Sequence, residues 1–242
     1  MAIQAVLFDM FDTLMIIEKN HEFYAYSLKK THKVLVDNGV NVKFAVFRDA
    51  YIKARDELYV EADARLEEPH FNLRIANALE NLGYHFGVNS DIVTKATNAF
   101  CEGFMDYVRI DDNAKNTLET LHGKYKLGIV SNFALPECVD KLLKKHGLYK
   151  LFDVVIVSAT VNKRKPSPEI FEKALAKLAV TAENAVFVGD TVDADVEGAK
   201  SAGMKSIYIE RRPQKESICP DQTIKSLGDL LAALERCNVA CQ

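Results

Sequence analysis

Apolar positions recur along this chain with two different spacings. Through the second half, short runs rich in Val, Ile and Phe alternate with stretches in which apolar residues return every three or four positions. The runs at 126–131, 153–158, 185–189 and 205–210 predict strands, and the stretches at 135–146, 168–178 and 192–202 predict crossover helices. Strand and helix in regular alternation predict βαβ units and a parallel sheet, hence an α/β, Rossmann-like fold. The first strand, 3–8, is followed instead by about a hundred residues of helical periodicity with hardly any strand signal. Helices are expected there at 20–37, 43–64, 71–82 and 90–107, broken at Asn38-Gly39, Glu68-Pro69 and 83–89. Such an insertion between the first two strands predicts a separate all-helical cap over 15–112, with the core made of 1–14 and 113–242. The aromatic residues Phe23, Tyr24, Tyr26, Phe44, Phe47 and Tyr51 are expected to fill its interior.

Composition narrows the classes of function. Of 242 residues, 48% are hydrophobic, enough for a buried core, while 27% are charged and nearly cancel to a net charge of -3. No global field would hold a polyanion, so nucleic acid is not an expected partner. The first residues lack the basic stretch, apolar run and cleavage site of a signal peptide, and no later apolar run is long enough for a membrane span. The five cysteines, Cys101, Cys138, Cys219, Cys237 and Cys241, form no C-x-x-C pair, which points to reduced thiols and a cytoplasmic setting.

In an open parallel sheet, ligands bind beyond the carboxyl ends of the strands, so the informative residues follow each strand. Strand one runs into Asp9-Met10-Phe11-Asp12-Thr13-Leu14 and the second core strand ends in Ser131-Asn132. The third is followed by Lys163-Arg164-Lys165-Pro166, and the strand ending at Gly189 delivers Asp190, with Asp195 five residues on. Together these offer a carboxylate nucleophile, a hydroxyl donor, a lysine cation and an acidic pair able to hold a hard divalent ion. They suit a small anionic substrate, because a carboxylate approaches a phosphate only where positive charge intervenes.

The aspartate-led D-x-x-x-T-L, the serine after strand two, the lysine-proline and the G-D-x-x-x-x-D resemble, in order, the four motifs of the haloacid dehalogenase superfamily. Each alone is unspecific; all four at successive strand ends are not. The position of the insertion resembles that of members with a helical C1 cap. The resemblance implies that Asp9 is the nucleophile, forming a covalent aspartyl intermediate, and that Ser131 and Lys165 hold the transferring group. It implies Mg²⁺ bound by Asp190, the Asp9 carboxylate and the Phe11 carbonyl, with Asp195 ligating through water or orienting the metal's surroundings. Thr13 and Asn132 take supporting, substrate-side positions, with Phe11 beside them.

Phe11 departs from the pattern. Most phosphatases of the superfamily carry a second aspartate there, which protonates the leaving group; Asp12 follows at once, but on a tight loop its side chain should point elsewhere. An aromatic at this place resembles the 2-haloacid dehalogenases, which need neither that acid nor a metal. They generally lack the acidic pair present here as Asp190 and Asp195, so Mg²⁺-dependent removal of phosphate from a small metabolite is the first reading and dehalogenation the second. A non-catalytic binding protein is the third, and the presence of Asp9, Ser131, Lys165 and Asp190 speaks against it. Arg65, His70 and Arg74, around the Glu68-Pro69 break, could reach a substrate anion, as could Arg55 and Tyr59, but the first expectation is that all are surface groups of the helical insert.

Overall fold

The computed structural model describes residues 2–18, 22–211 and 219–239. Its centre is a six-stranded sheet made of β1 (Ala5–Phe8), β4 (Lys126–Ser131), β5 (Val154–Val157), β6 (Ala185–Gly189), β7 (Lys205–Ile209) and β8 (Gln222–Ile224). The strands run parallel in the order β5-β4-β1-β6-β7-β8. β1 is central, and the chain winds outward from it in both directions, which opens a crevice at its carboxyl end.

The sheet is buried on both faces, which is why its strands read as apolar runs rather than alternations. Ala5 and Leu7 point to one layer, with Phe171, Phe187 and Ala199; Val6 and Phe8 point to the other, with Leu118, Leu142 and Leu230. The first layer is covered by α8 (Pro168–Leu178) and α9 (Gly198–Ser201). The second is covered by α5 (Ala114–Leu121), α6 (Pro136–Lys145) and α10 (Leu230–Val239). A single turn, α7 (Ser158–Val161), follows β5.

The long insertion holds α1 (Phe23–Asp37), α2 (Phe44–Ala64), α3 (Phe71–Asn81) and α4 (Asp91–Met105), with α1 lying along α4 and α2 along α3. Expected and observed helices agree to within a few residues, although the expected start at 20 lies outside the described residues. Phe47 and Tyr51 are fully buried and Phe23, Tyr24 and Phe44 pack against the same core. Tyr26 does not: it is exposed, its ring carrying Lys30 on one side and Tyr107 edge-on.

Three features were not expected. A two-stranded antiparallel ribbon, β2 (Met15–Ile17) with β3 (Val108–Ile110), joins the insertion to the sheet, its strands too short to register as a pattern. β8 extends the sheet at one edge. The helix expected over 192–202 divides into a π-helical turn, Val192–Glu197, and α9. Wide turns of this kind cost regular hydrogen bonding and gather where a side chain must be aimed; here the side chain is Asp195.

Candidate active site

The loops after β1, β4, β5 and β6 deliver their polar residues to one place. Asp9 follows β1 directly, its N–H donating to the Val188 carbonyl of β6 at 2.9 Å. The Lys165 ammonium lies 2.6 Å from Asp9 Oδ1 and 2.8 Å from Asp195 Oδ1. Carboxylate oxygens of Asp9, Asp190 and Asp195 all come within 4.8 Å of one another. These four side chains are buried, Lys165 and Asp195 almost completely.

Local structure explains the aim of each. Asp195 is turned inward by the π-helical turn, and its Oδ2 accepts the Thr191 N–H at 2.9 Å. Gly189 is required opposite it, because a Cβ there would overlap the Asp195 carboxyl. Lys165 is fixed by Asn132, whose amide donates to the Lys165 carbonyl at 2.9 Å and accepts the Lys165 N–H at 2.8 Å. Asn132 therefore spends its polar atoms on holding the lysine loop. The ammonium also lies 5.0 Å above the Phe187 ring, a further favourable contact for a cation.

Like charges crowd in the cluster. Three carboxylates face one lysine, and burial, reinforced by Asp195 and Asp190 and opposed by Lys165, raises the Asp9 pKa from 3.8 to about 7. Burial alone would lower the Lys165 pKa, but the Asp195 and Asp9 carboxylates overcome it and hold it above the ordinary value. Nearby, the Ser131 and Thr13 hydroxyls are completely buried without a protein hydrogen-bond partner. Buried donors are rarely left unmet unless a ligand or water uses them.

Phe11 is set in an aromatic cluster. Its ring lies 4.6 Å from Phe133, which follows β4, and 5.5 Å from Phe104 of α4. Asp12 adopts a left-handed backbone (φ 59°), and its carboxylate accepts the Ile17 N–H at 3.2 Å at the start of the ribbon. That engagement agrees with the expectation that Asp12 points away from the position an acid would need. Sequence reasoning missed Arg211, at the end of β7, which donates to the Asp12 and Thr13 carbonyls at 2.9 and 2.8 Å and pairs with Asp111 at 2.9 Å. It clamps the loop after β1 to the ribbon, and the rule that strand ends carry function would have singled it out.

The insertion reaches the same loops. The Phe71 N–H donates to the Ala134 carbonyl at 2.9 Å, the Arg164 N–H to Leu66 at 2.8 Å, and Lys163 Nζ to the Arg65 carbonyl at 3.1 Å. His70 caps α3 through the Asn72 N–H and lies 3.1 Å from Glu137 of α6. Arg65 and Arg55 are surface groups as expected, at 62% and 36% side-chain exposure, but Arg74 is not, at 13%. It is covered because α3 packs on α2, which lays its guanidinium over the Tyr59 and Phe71 rings.

Residues 3–203 match the haloacid dehalogenase-like hydrolase family, and the chain belongs to it. It is thus a hydrolase of that superfamily. Among its relatives, the glyceraldehyde 3-phosphate phosphatase of Methanopyrus kandleri is 28% identical, the alignment covering 95% of this chain and 96% of that one. Of solved structures, a 2-haloacid dehalogenase from Pseudomonas syringae superposes with a TM-score of 0.71 at 24% identity, covering 97% of this chain and 99% of the other. A phosphatase of the superfamily from Thermococcus onnurineus gives a TM-score of 0.61 at 26% identity, covering 96% and 98%. At its level of identity the dehalogenase likeness speaks for the fold alone. Among the described residues, no helix is long and apolar enough to cross a membrane.

Proposed function

We propose that the protein is a Mg²⁺-dependent phosphohydrolase of small phosphorylated metabolites. Three buried carboxylates whose oxygens come within 4.8 Å of one another carry the proposal: such crowding of like charge is costly to bury and suits a divalent cation shared between them. The donor set is all oxygen and suits a hard ion. Asp9, Asp190 and the Phe11 carbonyl would hold Mg²⁺, with Asp195 beside them, and the ion supplies charge that lets a carboxylate approach a phosphoryl dianion. A 2-haloacid needs no such screening. The relatives named glyceraldehyde 3-phosphate phosphatase, matched over nearly their whole length, support phosphate as the group removed.

In this scheme Asp9 attacks phosphorus, the bond to the leaving oxygen breaks, and an aspartyl phosphate forms that water then hydrolyses. Lys165 spreads its charge over the phosphoryl oxygens, and the unmet Ser131 hydroxyl donates to one of them. Thr13 braces the nucleophile loop and Asn132 positions Lys165. Phe11 offers no proton, so the leaving group departs unprotonated. The helices of 15–112 act as a cap: their contacts with Ala134, Lys163 and Arg164 would close the site against water.

Phosphate release from esters and acyl phosphates, with Mg²⁺ and with a chelator, tests the proposal. Activity should need Mg²⁺ and vanish with the chelator. The second reading, a metal-independent 2-haloacid dehalogenase, is favoured by one observation, the aromatic Phe11 in the acid's place; halide release in chelator with no phosphate release would establish it.

A further inference from the structure

Two cysteines meet across the seam where α4 of the insertion lies against α6 of the core, although 37 positions separate them in sequence. Residues facing each other along the seam stay in register. Asn98 faces Lys141, whose ammonium donates to the Asn98 side-chain oxygen at 3.1 Å. One helical turn on, Cys101 faces Cys138, whose Sγ lies 3.9 Å from the Cys101 carbonyl. A turn further along α4, Phe104 reaches the Phe133 and Phe11 rings at 5.2 and 5.5 Å. Both cysteines are buried, and Met105 Sδ lies 3.7 Å from Cys101 Sγ. The hydrogen bond between the two thiols, helped by the Lys141 ammonium, outweighs burial and holds the Cys101 pKa below the ordinary thiol value. The same bond, now reinforced by burial, pushes the Cys138 thiol up. One sulfur is thereby readied as the thiolate and its neighbour is kept as a thiol beside it.

We propose that Cys101 and Cys138 form a peroxide-sensitive dithiol, whose disulfide would staple the helical insertion to the core one turn from Phe104. The proposal goes beyond the removal of phosphate and holds whichever group the enzyme hydrolyses. The Cys101 thiolate attacks one oxygen of hydrogen peroxide, the O–O bond breaks, and a sulfenic acid forms with release of hydroxide. Cys138 then attacks that sulfur, the S–OH bond breaks, and the thiol proton leaves with the hydroxyl group as water. The proton first lost from Cys101 meets the hydroxide, so two thiols are oxidised to one disulfide while one peroxide is reduced to two waters. Peroxide reaches the covered sulfurs when α4 and α6 part, and the bridge then fixes the seam that had opened.

Peptide mapping without reductant, after treatment of the whole chain with hydrogen peroxide, tests this. Cys101 should be found joined to Cys138, both should vanish from thiol titration in denaturant, and Tm should rise by about 5 °C or more, because the bridge closes a long loop in the unfolded chain. Dithiothreitol should reverse all three. Cys138→Ser should stop instead at a Cys101 sulfenic acid, trapped by dimedone, with no rise in Tm. Should that variant not fold, Cys138→Ala takes its place, and the wild-type map decides independently of either. The exposed Cys219 reports that the oxidant has acted. Both seam thiols intact once Cys219 has reacted, Cys101 carried on to sulfinic or sulfonic acid, or a bridge to Cys219 or Cys237 instead would overturn the proposal. So would a Cys101–Cys138 bridge that leaves Tm unchanged.

Discussion

Two buried or half-buried polar assemblies in this molecule solve the problem of charge in opposite ways. The Asp9, Asp190, Asp195 and Lys165 cluster is built on strand ends and gathers three carboxylates around one lysine. The Arg74, Glu68, Arg164 and Asp63 group is built on helices and loops, and its charges pair off almost completely. The paired group can stand by itself. The other crowds three carboxylates within reach of one another, which is the arrangement the proposed cation would suit.

The sharpest way to break this contrast is at Asp9. Asp9→Asn keeps the shape and removes the proposed nucleophile, so phosphate release should fall by at least about 10⁴-fold with the circular dichroism unchanged. Retained activity on a verified substrate would end the mechanism. Next in size is the missing acid: relative to enzymes with a proton donor, Phe11 should cost about 10²- to 10⁴-fold on poor leaving groups. A plot of rate against leaving-group pKa should be steep, with acyl and aryl phosphates far ahead of alkyl ones, and Phe11→Asp should flatten it. A flat plot in the wild type, together with an inactive Asp12→Asn, would mean that Asp12 supplies the proton despite its bond to Ile17. Lys165→Gln should lose about 10²- to 10³-fold in kcat, the scale of one electrostatic contact to the transferring group.

The smallest effect is thermodynamic. Because the folded pKa of Asp9 is raised to about 7, the folded state binds that proton more tightly than the unfolded one, whose value is near 3.8. The resulting stability is complete below pH 3.8 and is lost as pH rises toward 7. In chelator, the Asp9 contribution should therefore fall across that window; differential scanning calorimetry of wild type and Asp9→Asn isolates it as a pH-dependent gap in Tm. Mg²⁺ should raise Tm by about 4 °C or more at pH 8 and by less at pH 5, where protons compete. An equal shift at both pH values would argue against a metal on these carboxylates.

Much of this was legible in the residues. The parallel sheet could be read because buried strands leave unbroken apolar runs, and the meeting of Asp9, Lys165 and Asp190 in one place because each follows a strand of such a sheet. What pattern does not encode is three-dimensional coincidence. Arg74 looks like any helix arginine until α2 and α3 pack, and Asn132 resembles a substrate ligand until both of its amide atoms are found on the Lys165 backbone. The ribbon of β2 and β3 escaped because three residues are too few to show a period. The break in the 192–202 helix escaped because a π turn keeps helical spacing while shifting one side chain.

The Phe11, Phe104 and Phe133 contact also bears on how the chain comes apart. Residues of the insertion such as Phe71, Ile75 and Phe100 belong to the same continuous apolar cluster as Val6 and Phe8 of the sheet and Leu142 of α6. The helices cut away at the ribbon would expose one wall of an interior they do not own alone. Heat should accordingly melt the two together, in one cooperative calorimetric event rather than two, so that damage far out on α4 is felt as lost cooperativity at the strand that bears Asp9.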